Sequence, residues 1–279
     1  MSKNNLKEEI KSNVKDVLKK VFVILPILLK RYFLSYNKRT TDIVYTEYDD
    51  YWDTFWQKAD IFRLDLPFVY FDKPTTNISP FLYKKNCILP ILIEKIKSNE
   101  IDSVCEIGSG AGLNLILLAT LFPDVKFFGI EPTESGVRIT NKFIENPPRE
   151  FGNTYKLGGK LRNIEVFKEN ILDTHTVKKL QNKFDFVFTC AVLEQLNNYI
   201  DIALYNSISL TNKYFLFFEE WFEANYLIDN YVTLVKSDYF RISWNYMNKF
   251  KNIEILEKSI PALQPAWLKY GVVFGKKIN

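Results

Sequence analysis

Apolar and polar positions divide this 279-residue chain into three regimes. In the first 40 residues, Leu6, Ile10, Val14, Leu18, Val21 and Leu25 recur every four or three positions with lysines between them. That spacing gathers the apolar side chains on one face of a helix, which Pro26 should kink. Residues 41–82 are instead dense in aromatics and acids: Tyr45, Tyr48, Asp49, Asp50, Tyr51, Trp52, Trp56, then Phe68, Tyr70 and Phe71. Pro67, Pro74 and Pro80 punctuate the second half, which predicts a short helix followed by irregular chain. The pattern becomes regular from about Pro80. Strands are predicted at Ile101–Ile107, Val125–Glu131, Asn163–Lys168, Phe184–Cys190 and Tyr214–Phe218. Helices are predicted at Phe81–Lys97, Leu113–Leu121 and Thr133–Glu145, the last with Thr133 as its N-cap, and over most of Ala191–Leu210 and Glu220–Val235. Strands alternating with helices imply a parallel sheet covered on both faces. Two closing strands, Ile253–Leu256 and Gly271–Phe274, have no helix between them and should pair antiparallel at one edge.

Composition narrows the functional classes. With 47% apolar and 25% charged residues the chain is ordinary globular protein, and wholesale disorder is excluded. Cys87, Cys105 and Cys190 are odd in number and far apart, which is no disulfide framework and suits a reducing, cytoplasmic setting. A single histidine, His175, and no close cysteine pair leave no zinc site; His175 itself reads as a surface residue near a helix start. The net charge of +4 is unevenly spread. Residues 1–40 hold ten Lys/Arg against three Asp/Glu, a net of +7, so the remainder carries 4 − 7 = −3. The basic character thus belongs to the arm, and a nucleic-acid groove across the body is not expected. The longest apolar stretch of the arm, Val21–Leu29, is nine residues, whereas a spanning helix needs about twenty. An arm packed on the body or on a second subunit, and an interfacial helix on an anionic membrane, both remain open.

The chemistry is concentrated in Val104-Cys105-Glu106-Ile107-Gly108-Ser109-Gly110-Ala111-Gly112-Leu113-Asn114. Between a buried strand and a helix, glycines at 108, 110 and 112 allow a tight turn and let backbone N–H groups approach a ligand. Twenty-three residues beyond Gly108, Glu131 ends the next predicted strand, where a carboxylate can accept hydrogen bonds from both hydroxyls of a ribose. The dinucleotide fingerprint would need glycine at 113, which is leucine, so an NAD-linked reductase is disfavoured.

These residues resemble the class I S-adenosylmethionine-dependent methyltransferases, most strongly over 102–196. The acid-x-Gly-x-Gly-x-Gly turn of that family matches Glu106 to Gly112, and its ribose-binding acid matches Glu131, followed by Pro132. Its adenine-contacting element falls at Glu169-Asn170-Ile171, with Asn170 where the family usually has an acid. Its fourth strand and Leu-Glu-His-Leu match Phe184–Cys190 and Leu193-Glu194-Gln195-Leu196, with Gln195 in place of histidine. The resemblance implies a doubly wound α/β fold with a mostly parallel seven-stranded sheet in the order 3-2-1-4-5-7-6 and its last strand antiparallel. It implies S-adenosylmethionine as cofactor, with S-adenosylhomocysteine as product. It places Glu106, Gly108, Ser109, Gly110, Gly112, Asn114, Glu131, Pro132, Glu169, Asn170, Ile171 and Cys190 around that cofactor. No metal is called for.

Three segments then follow: a basic helical arm over 1–40, an aromatic-rich cap or lid over 41–82, and a methyltransferase domain over 83–279. Asn146-Pro147-Pro148-Arg149 resembles the box of adenine and glutamine N-methylating enzymes, but it precedes the third strand and lacks the aromatic ring, so it reads as a loop. Strand four ends in Thr189-Cys190-Ala191, without the Pro-Cys pair of cytosine-methylating enzymes. The acceptor is therefore expected to be a small molecule or a glycan or lipid-linked precursor, methylated at oxygen. Glu194, Gln195, Glu219 and Glu220 are the candidates to orient or deprotonate it. The alternative from another class is a non-catalytic protein that keeps the cofactor fold and uses its arm to dock on a membrane or partner.

Overall fold

Helix α1 (Thr41–Gln57) is followed by two short strands, β1 (Phe68–Tyr70) and β2 (Lys73–Pro74), in a computed structural model that describes residues 25–26, 40–57, 65–75, 77–147, 161–226 and 228–278. The arm predicted over 1–40 lies outside the described residues, apart from Leu25, Pro26 and Thr40, as do Pro148, Arg149 and the side chain of Trp56. Next comes a helical run made of α2 (Pro80–Tyr83), a π-helical turn (Lys84–Ile88) and α3 (Leu89–Ser98). The alternating body is β3 (Ser103–Ile107), α4 (Leu113–Leu121), β4 (Lys126–Glu131), α5 (Glu134–Glu145), β5 (Ile164–Lys168), α6 (Thr174–Leu180) and β6 (Phe184–Cys190). It continues through a 3-10 segment (Leu193–Tyr199), α7 (Ile200–Leu210), β7 (Thr211–Glu219), α8 (Ile228–Ser237), β8 (Ile253–Ser259), β9 (Leu263–Pro265) and β10 (Gly271–Lys277).

The large sheet runs β5-β4-β3-β6-β7-β10-β8. Counted along the chain within that sheet, the order is 3-2-1-4-5-7-6. Strands β3 to β7 pair in parallel, and β10 is antiparallel to both neighbours. Side-chain alternation sorts the strands between two cores. Val104, Phe186, Phe188, Leu216, Phe218, Val272 and Phe274 join α3 and α4 on one face. Cys105, Ile107, Val187, Phe215, Phe217 and Val273 join α6 and α7 on the other. Burial on both faces is why these strands read as unbroken apolar runs. Leu115, Ile116, Leu117 and Leu118 are all fully buried, so α4 shows no polar side in the sequence. Thr133 caps α5 by accepting the Gly136 N–H, at 3.3 Å.

One expectation is corrected, and two helical stretches differ in detail. The stretch after α1 is not irregular: β9 leaves the main sheet and pairs antiparallel with β1, which pairs with β2 in a second, three-stranded sheet. The link between the closing strands is therefore itself a structural strand. Ala191–Leu210 is mostly helix, as expected, but its first part (Leu193–Tyr199) is 3-10, where Val192 and Glu194 give their N–H groups to the Glu219 carboxylate and Leu196 leaves helical dihedrals (φ −102°, ψ 29°). Glu220–Val235 opens with a short 3-10 turn (Phe222–Ala224) before its α-helix. The buried Asn225 side chain binds the Lys269 backbone at both N–H and C=O at the end of that turn, and α8 begins at Ile228.

Candidate functional site

The carboxyl ends of β3, β4 and β6 and the segment after β7 open into a cavity of about 640 Å³, walled on the far side by α1. Open α/β sheets place ligands at this edge, where the strand order reverses. Here the reversal lies between β3 and its neighbours β4 and β6.

The glycine turn forms the cavity floor. Gly110 sits at φ +54°, a conformation costly for other residues, and a Cβ there would lie 2.4 Å from the Trp52 ring. Gly112 (φ +70°) starts α4, and a Cβ there would lie 2.3 Å from Thr140, so it serves the packing of α4 on α5 and does not line the cavity. Glu131 ends β4, is 4% exposed and is held by three donors. Its Oε2 accepts the Gly110 N–H at 2.7 Å, and its Oε1 accepts the Thr133 N–H at 3.0 Å and the Thr133 hydroxyl. Burial pushes its pKa up against these bonds. Glu106, at the end of β3, accepts from Asn114 Nδ2 at 2.6 Å through Oε1, while Oε2 is buried with no hydrogen-bond partner. Burial raises Glu106 to about 8.

Helix α1 meets the floor at three points. Tyr45 donates to Asn170 Oδ1 (2.8 Å), Asp49 accepts the Ser135 N–H at the start of α5 (2.7 Å), and Trp52 covers Gly110. Tyr45, Tyr48, Tyr51 and Trp52 line the cavity. Burial pushes the Asp49 carboxyl up, but the Ser135 hydrogen bond outweighs it and holds the pKa below the ordinary value, as expected for an acid at a helix N-terminus.

A second cluster of acids stands across the cavity after β6 and β7. Glu194, Gln195 and Glu220 line it and are 4%, 7% and 1% exposed. Gln195 Nε2 donates to Glu194 Oε1 at 3.1 Å, and Glu220 is hydrogen-bonded to Glu194, while Glu220 Oε2 finds no partner. Burial first, then repulsion from Glu194 and Glu219, drives Glu220 well above the usual carboxylate range. Glu219 is fully buried and raised to about 7 by burial; its carboxylate is spent on the Val192 and Glu194 N–H groups.

Of the residues singled out in the sequence, Glu106, Gly108, Ser109, Gly110, Asn114, Glu131, Pro132, Asn170, Ile171, Cys190, Glu194, Gln195 and Glu220 come together around the cavity. Gly112, Glu169 and Glu219 do not face it. Glu169 turns away to bind Thr176 Oγ1 (2.6 Å) and Lys179 Nζ (3.1 Å), because its position in the turn after β5 points toward α6. The Cys190 thiol is pushed up to about 12 by burial, so it is no ready nucleophile. His175 is exposed in the first turn of α6. Sequence reasoning missed Lys84, Tyr239, Trp267 and Tyr270, which also line the cavity. No local motif marks them, since each arrives through a loop or turn remote from the glycine turn. Among the described residues no group of His, Cys, Asp and Glu is arranged to hold a metal ion.

A family model described as a putative methyltransferase matches residues 101–188, which span β3 to β6. No curated protein matches the sequence. Among solved structures, an S-adenosylmethionine-dependent methyltransferase from Anabaena variabilis superposes with a TM-score of 0.52 at 11% identity, covering 83% of this chain and 95% of that one. The cyclase SpnF superposes with a TM-score of 0.57, also at 11% identity, over 86% of this chain and 97% of its own. At such identity the superpositions speak for the fold alone, and one fold can host several chemistries. The segment through the glycine turn is thus similar in sequence to a putative methyltransferase family, and it is set in a fold shared with an S-adenosylmethionine-dependent methyltransferase.

Proposed function

We propose that the cavity binds S-adenosylmethionine and that the chain methylates a small molecule, or a glycan or lipid-linked precursor, at oxygen. One observation supports this above all: a buried carboxylate, Glu131, closes β4 and is tied to the glycine turn through the Gly110 N–H. A carboxylate accepts hydrogen bonds and cannot donate them, so at this place it suits a pair of sugar hydroxyls. The residues present fit the cofactor on two further counts. The space above Gly110 admits no Cβ, and Glu106 Oε2 is a buried acceptor still lacking a donor. In this reading Glu131 holds the ribose, Asn170 and Ile171 border the base, and Glu106 and Asn114 face the amino-acid end. Gly108, Ser109, Gly110 and Pro132 shape the floor.

When bound, the cofactor supplies a methyl group on a sulfonium whose departing thioether is neutral. The protein then has two tasks, alignment and exclusion of water. Tyr45, Tyr48, Tyr51 and Trp52 wall the cavity with apolar rings. Glu194 would receive the acceptor hydroxyl proton, oriented by Gln195 and by the Glu220 carboxyl hydrogen-bonded to it. Glu219 acts behind them by fixing the backbone of Val192 and Glu194. We place the protein in the cytoplasm, with residues 1–40 as its contact to a membrane face or second subunit. No helix among the described residues is long and apolar enough to cross a membrane.

Calorimetry with S-adenosylhomocysteine and NADH, followed by transfer of labelled methyl to fractionated cell extracts, tests this reading. Binding of the first ligand alone, with label entering a small or lipid-linked product, is expected. Binding without any transfer would favour the non-catalytic alternative, in which the basic arm docks the cofactor fold on a membrane or partner. NADH binding in place of S-adenosylhomocysteine would sink the cofactor assignment.

A further inference from the structure

Across the cavity from the glycine turn, the acids after β6 and β7 are short of positive charge. Among the described residues lining the cavity, Glu47, Glu106, Glu131, Glu194 and Glu220 stand against one cation, Lys84. Lys84 bears on Glu106 and Cys190, whereas the charges that bear most on Glu220 are those of Glu194 and Glu219.

Two neighbouring acids at the end of β7 show what is missing there. Glu219 and Glu220 are both buried, at 0% and 1% exposure. Glu219 is met by the protein itself, since its carboxylate accepts the N–H groups of Val192 (3.0 Å) and Glu194 (3.4 Å). Glu220, next along the chain, lines the cavity instead. It engages Glu194 through one oxygen, while Oε2 is buried without a hydrogen-bond partner. A buried oxygen left in this way is costly until a donor meets it, and the space beside this one is the cavity.

The same corner carries ring faces. Tyr239, Trp267 and Tyr270 line the cavity. The Phe240 N–H donates to the Glu194 carbonyl (3.2 Å), which holds Tyr239 beside the acids, and the charges of Glu194 and Glu220 reach the Tyr270 hydroxyl. Trp267, 41% exposed, stands where the cavity meets solvent. Acids without a counter-charge, an acceptor oxygen without a donor, and aromatic faces together select a cation that carries N–H donors. A carboxylate or phosphate is repelled from this corner. A neutral hydroxyl fills the hydrogen bond but leaves the charge unmet.

We propose that the methyl acceptor is a hydroxyl compound bearing a protonated amine, whose ammonium is anchored by Glu220 Oε2 while its hydroxyl is presented to Glu194. The inference rests on the methyl-transfer reading above and narrows its acceptor to an amino alcohol, with any anionic end of the molecule kept outside this corner. The acceptor oxygen forms the new C–O bond as the methyl–sulfur bond breaks with its electron pair left on sulfur, and the hydroxyl proton passes to Glu194. The amine keeps its proton throughout and is not itself methylated.

Labelled S-adenosylmethionine, incubated with the full chain and with small-molecule and lipid extracts of cells, tests this. Products are separated by cation exchange, and mass spectrometry places the labelled methyl. A retained, amine-bearing product with the label on oxygen is expected. Label confined to neutral or anionic products overturns the amine and leaves methyl transfer standing. Label on nitrogen makes the amine the nucleophile and overturns its role as anchor. No label in any product removes the methyl-transfer reading together with this inference. Glu220→Gln can still hydrogen-bond Glu194 but carries no charge. It should raise KM for the retained acceptor fraction about tenfold or more, the loss of one charge-assisted contact, and by a larger factor than kcat falls. S-adenosylhomocysteine affinity within about twofold of the wild type reports that the variant is folded. An unchanged KM in that folded variant overturns the anchor. Should the variant lose S-adenosylhomocysteine as well, the charge of the wild-type product and the atom labelled decide the question alone.

Discussion

At Gly110 two demands meet in one residue. Its φ of +54° disfavours any side chain, and the Trp52 ring occupies the place of a Cβ. Gly110→Ala should cost about 1–2 kcal/mol from the left-handed conformation, plus whatever is lost by displacing Trp52. Combined with Trp52→Ala, the second part vanishes, so the double variant should be less unstable than the sum of the singles. Denaturant midpoints for the four proteins of this cycle check it, and strict additivity would mean that Trp52 does not rest on the turn. Glu106 supplies a pH signature. Burial lifts its carboxyl from the ordinary 4.5 to about 8, so the empty protein holds it protonated at neutral pH. Facing an ammonium it must ionise, and S-adenosylhomocysteine binding at pH 7 should release up to about one proton. Titrations in buffers of different ionisation enthalpy measure this, and Glu106→Gln should abolish it. The same shift has a stability sign. An acid kept protonated by burial favours the fold fully below its unfolded pKa, and that benefit is lost as pH rises through the folded value. Stability should fall between about pH 4.5 and 8, with Glu219 contributing up to about 7, and Glu106→Gln should flatten the upper part of the slope.

Among the elements, α1 is the part that local sequence could not place. Its aromatic and acidic residues were visible, but the three contacts that seat it, Tyr45 on Asn170, Asp49 on Ser135 and Trp52 on Gly110, join positions far apart in the chain. Asp49→Ala removes the one partner of an orphan N–H at the head of α5 and should weaken docking by about 1 kcal/mol. Faster amide exchange confined to α1, with the sheet unchanged, is the expected readout; uniform loss of protection would contradict this seating. The second sheet shows a different limit of legibility. Strands β3 to β7 announced themselves because double burial writes long apolar runs, and Thr133 announced the start of α5 by its capping chemistry. Strands β1, β2 and β9 have only three, two and three residues, too few to show a period of two, and β1 finds its partner almost two hundred positions downstream. Nor did composition mark the β1–β2 turn, where Phe71 and Asp72 adopt φ of +47° and +62° without a glycine. The Phe71 N–H is held by the Ala262 carbonyl (2.9 Å) and Asp72 by an ion pair with Lys269, so tertiary contacts impose what the turn residues disfavour. Phe71 is 68% exposed, so Phe71→Gly loses little packing and should stabilise the protein by about 0.5–1 kcal/mol, measurable as a higher unfolding midpoint.

For the whole molecule, the charge divides at the point where α1 begins. Residues 1–40 carry +7 and the remainder −3, although the total is only +4. A lysine-rich segment with one apolar face should adsorb to anionic bilayers at about 1 kcal/mol per basic residue near the surface, and the attraction should fade over a Debye length as salt rises. The negative body would oppose that contact, so the arm must supply all of it. Thr40 belongs to the body in this respect, because its Oγ1 accepts the Ile43 N–H (3.4 Å) and its carbonyl the Val44 N–H (3.1 Å) at the head of α1. A truncation that keeps Thr40 should therefore leave α1 seated over the cavity and S-adenosylhomocysteine affinity unchanged, while co-sedimentation with phosphatidylserine vesicles disappears. The intact chain should sediment at low salt and be released by 0.5 M salt, a concentration at which the Debye length is only about 4–5 Å. If the intact chain never sediments, and the truncated one instead loses a dimer seen in ultracentrifugation, the arm is a subunit contact. If truncation lowers cofactor affinity, the arm packs on the body beside the site, and neither external role stands.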